Sequence, residues 1–155
     1  MYHQVFKLFL FLIILSLSTF GAVTELDELY VLYDAGETSV LKPVIEKSIA
    51  EGRKVRVIKI ATADNLISSN ENFLSINDVL GTLIASESFE RHDRVDPSKI
   101  ESLLEKYRPT KVITGMVSSV QNQIAEAYSS FARIYGVYDS FNPVSYTHLT
   151  LPTIE

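Results

Sequence analysis

Two short stretches of the sequence combine glycine with side chains that can hydrogen-bond a polar ligand. The first is DAGETS, at positions 34–39, and the second is TGMVSS, at positions 114–119. In each stretch the glycine allows another group to approach the backbone closely, and the predicted helix that follows has unpaired amide groups in its first turn. The partial positive charge at such a helix start favours an anion unless acidic side chains already lie there.

The two stretches therefore predict different ligands. TGMVSS has serines and no acid, so we expect it to receive a phosphate or a carboxylate. DAGETS has two acids that would repel an anion, so it suits sugar hydroxyl groups or acts as a hydrogen-bonding base. The competing interpretation of both is plain helix capping, for which Ser and Asp are the usual residues. The candidate ligand-binding residues are Asp34, Gly36, Glu37, Thr38, Ser39, Asp64, Gly115, Ser118, Ser119 and Asp139.

Composition disfavours several other kinds of site. The chain has no cysteine, which excludes disulfides and thiolate metal ligands. His92 lies in a charged run, ESFERHDR, that is typical of a solvated loop, and we predict no metal site. The net charge of −5 disfavours nucleic acid as a partner. No strict dinucleotide fingerprint or P-loop is present, so the sequence identifies no cofactor and no catalytic residue.

Both ends of the sequence differ in character from the segment between them, and the amino end is strongly apolar. Residues 1–21 place one lysine before the apolar run LFLFLIILSLSTF, the layout of a secretory signal peptide or, for positions 6–22, of a tilted signal anchor. We expect an exported protein, or an anchored one facing outside, with membrane contact only through residues 6–22 if they are not cleaved. The alternative is a buried first helix or strand.

The run VSYTHLTLPT, at positions 144–153, is identical to one reading frame of a common sequencing adapter. We therefore expect residues 144–155 to be a disordered, adapter-derived tail, and residues 22–143 to be a fragment of a longer domain. The alternative is a genuine polar carboxyl tail.

Strand-like and helix-like segments alternate between these ends. Apolar runs at positions 29–33, 54–60, 111–114 and from 137 onward predict strands. Helical spacing predicts helices that start at Thr38 or Ser39, at Ser75, at Asp96-Pro97, and at Ser118 or Ser119; the last is expected to reach Gly136, with Phe131 and Tyr135 inward. Strands joined by helices pair in parallel through right-handed crossovers. The prediction is an incomplete α/β domain with a doubly wound, mostly parallel, Rossmann-like sheet.

The carboxyl ends of parallel strands meet at one edge of a sheet, where ligands bind at a switch in strand order. The loops at positions 34–39, 61–64, 114–119 and 139–142 all leave predicted strand ends on that edge. Any ligand site is expected there.

Two longer segments suggest a family. DAGETSVLKPVIEKSIAEGRKVRVI resembles the opening of GT-B glycosyltransferases and of UDP-N-acetylglucosamine 2-epimerases, and KVITGMVSSVQNQIAEAYSSFARIYGVYDSF resembles their recurring strand, glycine-serine turn, helix and strand. The resemblance implies an amino-terminal, acceptor-side domain whose cleft is lined by Gly36, Glu37, Thr38, Gly115 and Ser118. A nucleotide sugar would bind mostly through a missing carboxyl-terminal domain, so this fragment is expected to be inactive alone.

A different class of protein remains open. One lobe of an extracytoplasmic solute-binding protein is also a doubly wound α/β domain hinged around a small molecule. That alternative agrees better with an export signal. A third possibility is a domain with no small-molecule site.

Overall fold

The computed structural model describes residues 23–82 and 84–137. The expected signal segment, the expected adapter-derived tail and Asp139 lie outside these residues, so those predictions stay predictions. The described elements are β1 (Thr24–Leu32), α1 (Ala35–Ala50), β2 (Val55–Lys59), α2 (Thr62–Leu66), β3 (Phe73–Ser75), α3 (Ile76–Leu80), a 3-10 turn (Ser86–Ser88), α4 (Pro97–Lys106), β4 (Tyr107–Gly115), α5 (Ser119–Tyr128) and β5 (Arg133–Val137).

The strands form one five-stranded sheet in the order β3-β2-β1-β4-β5, and each neighbouring pair is parallel. From β1 the chain passes to β2 and β3 on one side and then crosses to β4 and β5 on the other. The strand order therefore reverses between β1 and β4. This is the strand order of a Rossmann-like sheet.

Successive residues of a strand point to opposite faces of the sheet. Apolar side chains of β1 therefore lie on both faces, and helices cover both. Leu29 and Val31 of β1 pack in a cluster with residues of α3, α4 and α5, whereas Tyr30 and Leu32 pack in a second cluster with residues of α1. A strand that is apolar at nearly every position is typical of a sheet buried on both faces. The predicted doubly wound α/β fold is confirmed.

A bulge near the amino end of β1 changes which side chains point to each face of the sheet. The backbone amides of Asp27 and Glu28 both donate to the Lys54 carbonyl, at 2.9 and 3.3 Å. The extra residue moves Leu26 to the same face as Leu29. The first half of β1 thereby keeps its apolar side chains in the larger of the two cores.

Helix α1 begins about one turn earlier than predicted. Asp34, rather than Thr38 or Ser39, caps it: its Oδ1 accepts a hydrogen bond from the Glu37 amide at 2.9 Å. The earlier start places Pro43 inside the helix instead of in its first turn. Helix α1 stops just before Gly52, whose φ of +77° is a backbone region that suits glycine.

The last predicted helix is wrong in its second half. Helix α5 ends at Tyr128, and Arg133–Val137 forms β5 instead of continuing the helix to Gly136. Phe131 and Tyr135 are accordingly 41% and 46% exposed rather than directed inward. Short apolar runs fit a strand as well as a helix, and only pairing with β4 decides between them.

The other strands and helices differ from the prediction mainly at their ends. Strand β4 starts at Tyr107, four residues before the predicted strand at positions 111–114, and directly follows the last residue of α4. Pro109 is tolerated because it precedes the first pair between β4 and β5, Lys111 with Arg133, and so lies where β4 is paired on one side only. Strand β3 and helix α2 were not predicted, since each is only a few residues long.

A buried carboxylate lies at the sheet beneath α1. Glu28 accepts hydrogen bonds from Tyr30 Oη at 2.8 Å and from Arg53 Nη1 at 2.7 Å, and Lys111 Nζ lies 3.5 Å away. Burial alone would raise the pKa of Glu28, but hydrogen bonds from Ser48, Tyr30 and Arg53 outweigh it and lower that pKa. Burial raises the pKa of Tyr30 to about 12.

Candidate functional site

The stretches DAGETS and TGMVSS lie side by side in the structure. They follow β1 and β4, which are neighbours in the sheet and flank the point where strand order reverses. The segment 61–64, predicted as a loop, follows β2 on the other side of β1, but Asp64 lies in the short helix α2 rather than in a loop. The sheet therefore brings three of the four predicted loops to one edge, which we call the carboxyl edge.

A buried pair of side chains joins the first turns of α1 and α5 at this edge. Glu37 and Gln121 are both fully buried, and Gln121 Nε2 donates to Glu37 Oε2 at 2.8 Å. The same Glu37 oxygen accepts a bond from the Tyr33 amide at 3.0 Å, and Gln121 Nε2 also donates to the Val31 carbonyl at 3.1 Å. The Glu37–Gln121 pair thus links the starts of α1 and α5 to the carboxyl end of β1.

Gly115 makes room for the Glu37 carboxylate. A Cβ built on Gly115 would overlap both carboxylate oxygens of Glu37 and the carbon between them. The position therefore requires a residue without a side chain. The sequence predicted a close approach of another group to the backbone at Gly115, and the group that lies there is the Glu37 carboxylate of the same chain.

The polar groups at the start of α5 bond to one another. Ser118 Oγ accepts from the Gln121 amide at 3.3 Å, while Gln121 Oε1 accepts from the Ser118 and Val117 amides at 3.1 and 3.2 Å, which makes a capping box. Thr114 Oγ1 donates to the Gly115 carbonyl at 2.9 Å. The internal bonding of Ser118 agrees with its capping interpretation, and its role in holding an anion stays a prediction.

The first turn of α1 is bonded in the same way. Asp34 caps the helix, and Thr38 Oγ1 donates to the Asp34 carbonyl at 2.6 Å. Thr38 is buried, whereas Gly36 is partly exposed and Ser39 is exposed on the first turns of α1. Among the predicted site residues that the structure describes, Ser39 is therefore the most exposed.

Asp64 lies in a separate polar cluster. Its Oδ1 lies 2.9 Å from Lys59 Nζ, and its Oδ2 accepts from Ser75 Oγ at 2.7 Å. Lys59 is only 1% exposed, and its ammonium also donates to the Ile67 carbonyl at 2.6 Å and to Ser69 Oγ at 2.9 Å. The three donors of this buried ammonium are thus used, which gives Asp64 a structural partner on β2.

The two buried carboxylates predict how stability depends on pH. Burial alone would raise the pKa of Asp64, but hydrogen bonds from Lys59 and two serines outweigh it and lower that pKa, as happens at Glu28. A lowered pKa stabilises the fold above the ordinary values of 4.5 for Glu28 and 3.8 for Asp64, and the contribution is lost as pH falls through the folded-state pKa.

We therefore expect thermal midpoints, measured by circular dichroism, to be nearly constant from about pH 7 to pH 5 and to fall below about pH 4. Glu28→Gln and Asp64→Asn should each reduce how steeply the thermal midpoint falls below about pH 4. A midpoint that stays unchanged down to about pH 3 would contradict the lowered pKa values.

Sequence reasoning missed a loop that lies across the carboxyl edge. Residues 84–95, which we call the edge loop, are held there by Tyr33 Oη, which donates to the Phe89 carbonyl at 2.9 Å, and by the Ser119 amide, which donates to the Arg91 carbonyl at 2.8 Å. Arg91 and His92 are exposed on this loop. The charged run ESFERHDR showed a polar loop, but nothing in the sequence placed it beside the helix starts.

The remaining surface contains no metal-binding cluster within residues 23–82 and 84–137. In the same part of the chain, no helix combines the length and the apolar character that crossing a bilayer requires. The larger of the two described grooves, of about 770 Å³, lies at the amino ends of β1, β4 and β5, opposite the carboxyl edge.

Comparison with known proteins identifies no relative: no family model, curated protein or solved structure matches the chain significantly.

Proposed function

We propose that this domain is the amino-terminal, acceptor-side half of a GT-B-like glycosyltransferase or a related sugar-nucleotide enzyme, with the carboxyl edge as one wall of the ligand cleft. The observation that supports the proposal best is the reversal of strand order between β1 and β4, with DAGETS and TGMVSS on either side of it. Ligands of open parallel sheets bind at this point.

The charges at the wall favour neutral hydroxyl groups over a phosphate. Asp34 caps α1 and is partly exposed, so its charge already offsets the helix dipole, and the Glu37 carboxyl group is buried in the first turn. At the start of α5 the Ser118 and Val117 amides are bonded to Gln121. A sugar acceptor fits these properties, and the diphosphate of a donor is assigned to a second domain.

The exposed groups at the edge can hydrogen-bond such an acceptor. Ser39 offers a hydroxyl on α1, Asp34 a partly exposed carboxylate that accepts hydrogen bonds, and Arg91 donor groups on the edge loop. A single wall of this kind binds weakly, because ligand sites usually bury most of the ligand surface between two or more sides. Millimolar affinity is the expected range for the chain alone.

The proposal predicts where a simple glycoside binds. Titration of the isotope-labelled chain with the methyl glycoside of N-acetylglucosamine, followed by two-dimensional NMR, is expected to shift amide signals of Ser39, Ser119 and Arg91. Ser39→Ala removes one hydrogen bond, so we expect binding to weaken about three- to tenfold. The matched control Ser102→Ala, an exposed serine in the middle of α4, is expected to leave binding unchanged.

Three outcomes would contradict the proposal. Shifts confined to the amino ends of the strands would place the ligand on the wrong edge. Turnover of UDP-N-acetylglucosamine by the chain alone would contradict a donor site outside it. Shifts at the carboxyl edge with amino acids or other solutes, but with no glycoside or nucleotide sugar, would favour a solute-binding lobe instead.

A further inference from the structure

Exposed basic side chains gather at the amino ends of the strands, which we call the amino edge. Lys54 directly precedes β2, Lys106 ends α4 next to β4, Arg108 is near the start of β4, and Arg133 opens β5. Parallel pairing of all the strands places these positions on one edge. None of the four forms an ion pair with a described residue, so their charges are available to an outside partner.

The same edge exposes apolar surface between two of these cations. Arg108 and Arg133 line the groove of about 770 Å³ together with Val23 and Phe131. The Arg108 guanidinium lies 4.8 Å from the centroid of the Phe131 ring. The groove thus combines an aromatic ring with arginine side chains, whose stems are apolar and whose ends are charged. This combination suits a membrane interface, where apolar and charged groups of the lipid meet.

The course of the chain indicates which partner this edge faces. Val23, which lines the groove, directly follows the apolar sequence of residues 6–22. If that segment enters a bilayer, the groove is held beside the lipid headgroups by the continuity of the chain. The whole chain has a net charge of −5, so an anionic surface would repel it in any orientation that does not present a basic patch.

We propose that the amino edge, centred on Arg108, Phe131 and Arg133, docks on an anionic lipid bilayer. In this orientation the carboxyl edge faces away from the membrane, so a ligand could reach it from solution. Glu25 lines the same groove and is paired in register with Arg108. Asp27 and Glu105 are exposed at the same edge, so the charges of all three acids oppose the docking. The proposal does not depend on the identity of the ligand at the carboxyl edge.

The experiment measures how the full chain partitions between vesicles of phosphatidylcholine and vesicles that also contain phosphatidylglycerol, after cell-free synthesis in their presence. Each basic side chain near an anionic surface contributes about fivefold in affinity. R108Q/R133Q is therefore expected to lower the ratio of anionic to neutral binding about 25-fold. E25Q is expected to raise the ratio up to about fivefold.

The matched control is R94Q/K99Q, which removes the same amount of charge. Arg94 lies at the end of the edge loop and Lys99 in the first turn of α4; both are exposed and neither forms an ion pair with a described residue. We expect it to change the ratio less than about threefold, because these side chains lie away from the groove. Residues 1–22 are present in all variants, and the ratio is measured at lipid concentrations that bind only part of the chain, so their own membrane affinity cancels in the comparison.

Equal losses in the two double variants would overturn the proposal, since they would reflect net charge alone. A short RNA that displaces the vesicles through the same arginines would also overturn it, in favour of a nucleic-acid surface. A negative result here leaves the glycoside titration unaffected, because that titration is observed at the opposite edge.

Discussion

Gly115→Ala is expected to lower the free energy of unfolding by about 2–4 kcal/mol. The added methyl group would overlap the Glu37 carboxylate, which is fully buried. The carboxylate must then move away from the two groups that donate hydrogen bonds to it, the Tyr33 amide at 3.0 Å and Gln121 Nε2 at 2.8 Å. Chemical denaturation of the full chain, followed by circular dichroism, measures the loss.

A double-mutant cycle isolates the overlap from other effects of the new methyl group. Glu37→Ala alone should also cost about 2–4 kcal/mol, because buried donors lose their acceptor. Combined with Gly115→Ala it should cost less than the sum, by about 2 kcal/mol, since the overlap no longer exists. Costs that add within about 0.5 kcal/mol would show that the two residues do not touch. Glu46→Ala, an exposed glutamate of α1 in a surface ion pair with Lys42, is the matched control with little expected effect.

Asp64→Ala is expected to be nearly as destabilising, by about 2–4 kcal/mol. It leaves the Lys59 ammonium, 1% exposed, without the carboxylate at 2.9 Å. Removing one member of a buried ion pair is costly because the other charge stays desolvated. Urea denaturation at neutral pH measures this change.

Removing both charges should restore much of the loss. In Lys59→Met/Asp64→Ala no buried charge remains, and an apolar chain of similar length occupies the space of the lysine, so we expect at least half of the stability to return. A double variant that is less stable than Asp64→Ala would mean that Lys59 contributes through its bonds to Ile67 and Ser69 rather than through the ion pair. Glu71→Ala, at an exposed position, controls for the loss of an acid.

The fold could be predicted because its signals are local. Asp96 and Pro97 start α4 as expected, and the apolar run in β1 is long enough to indicate a strand covered on both faces. The end of α5 could not be predicted, because Phe131 and Tyr135 continue a helical spacing by coincidence and become exposed once Arg133–Val137 pairs with β4. Strand pairing is a tertiary interaction that periodicity does not reveal.

The candidate site was predictable only in its position. Parallel strands dictate that Asp34 and Ser118 lie on one edge, but not which side chains fill the crevice. Glu37 and Gln121 are 84 residues apart in the sequence and meet only through the packing of α1 and α5 around β1 and β4. One signal existed: both occupy the third position of a helix whose preceding Asp or Ser is its cap, where a polar side chain is held close to the strand end.

The Glu37–Gln121 pair has a mechanical consequence, because α1 and α5 belong to different layers. Each helix packs on its own face of the sheet, and the hydrogen bond from Gln121 Nε2 to Glu37 Oε2 joins the two layers directly. One hydrogen bond at the rim fastens both layers together, so a molecule that displaces the carboxylate would loosen them simultaneously. We therefore expect a ligand at the rim to change the rigidity of both layers together.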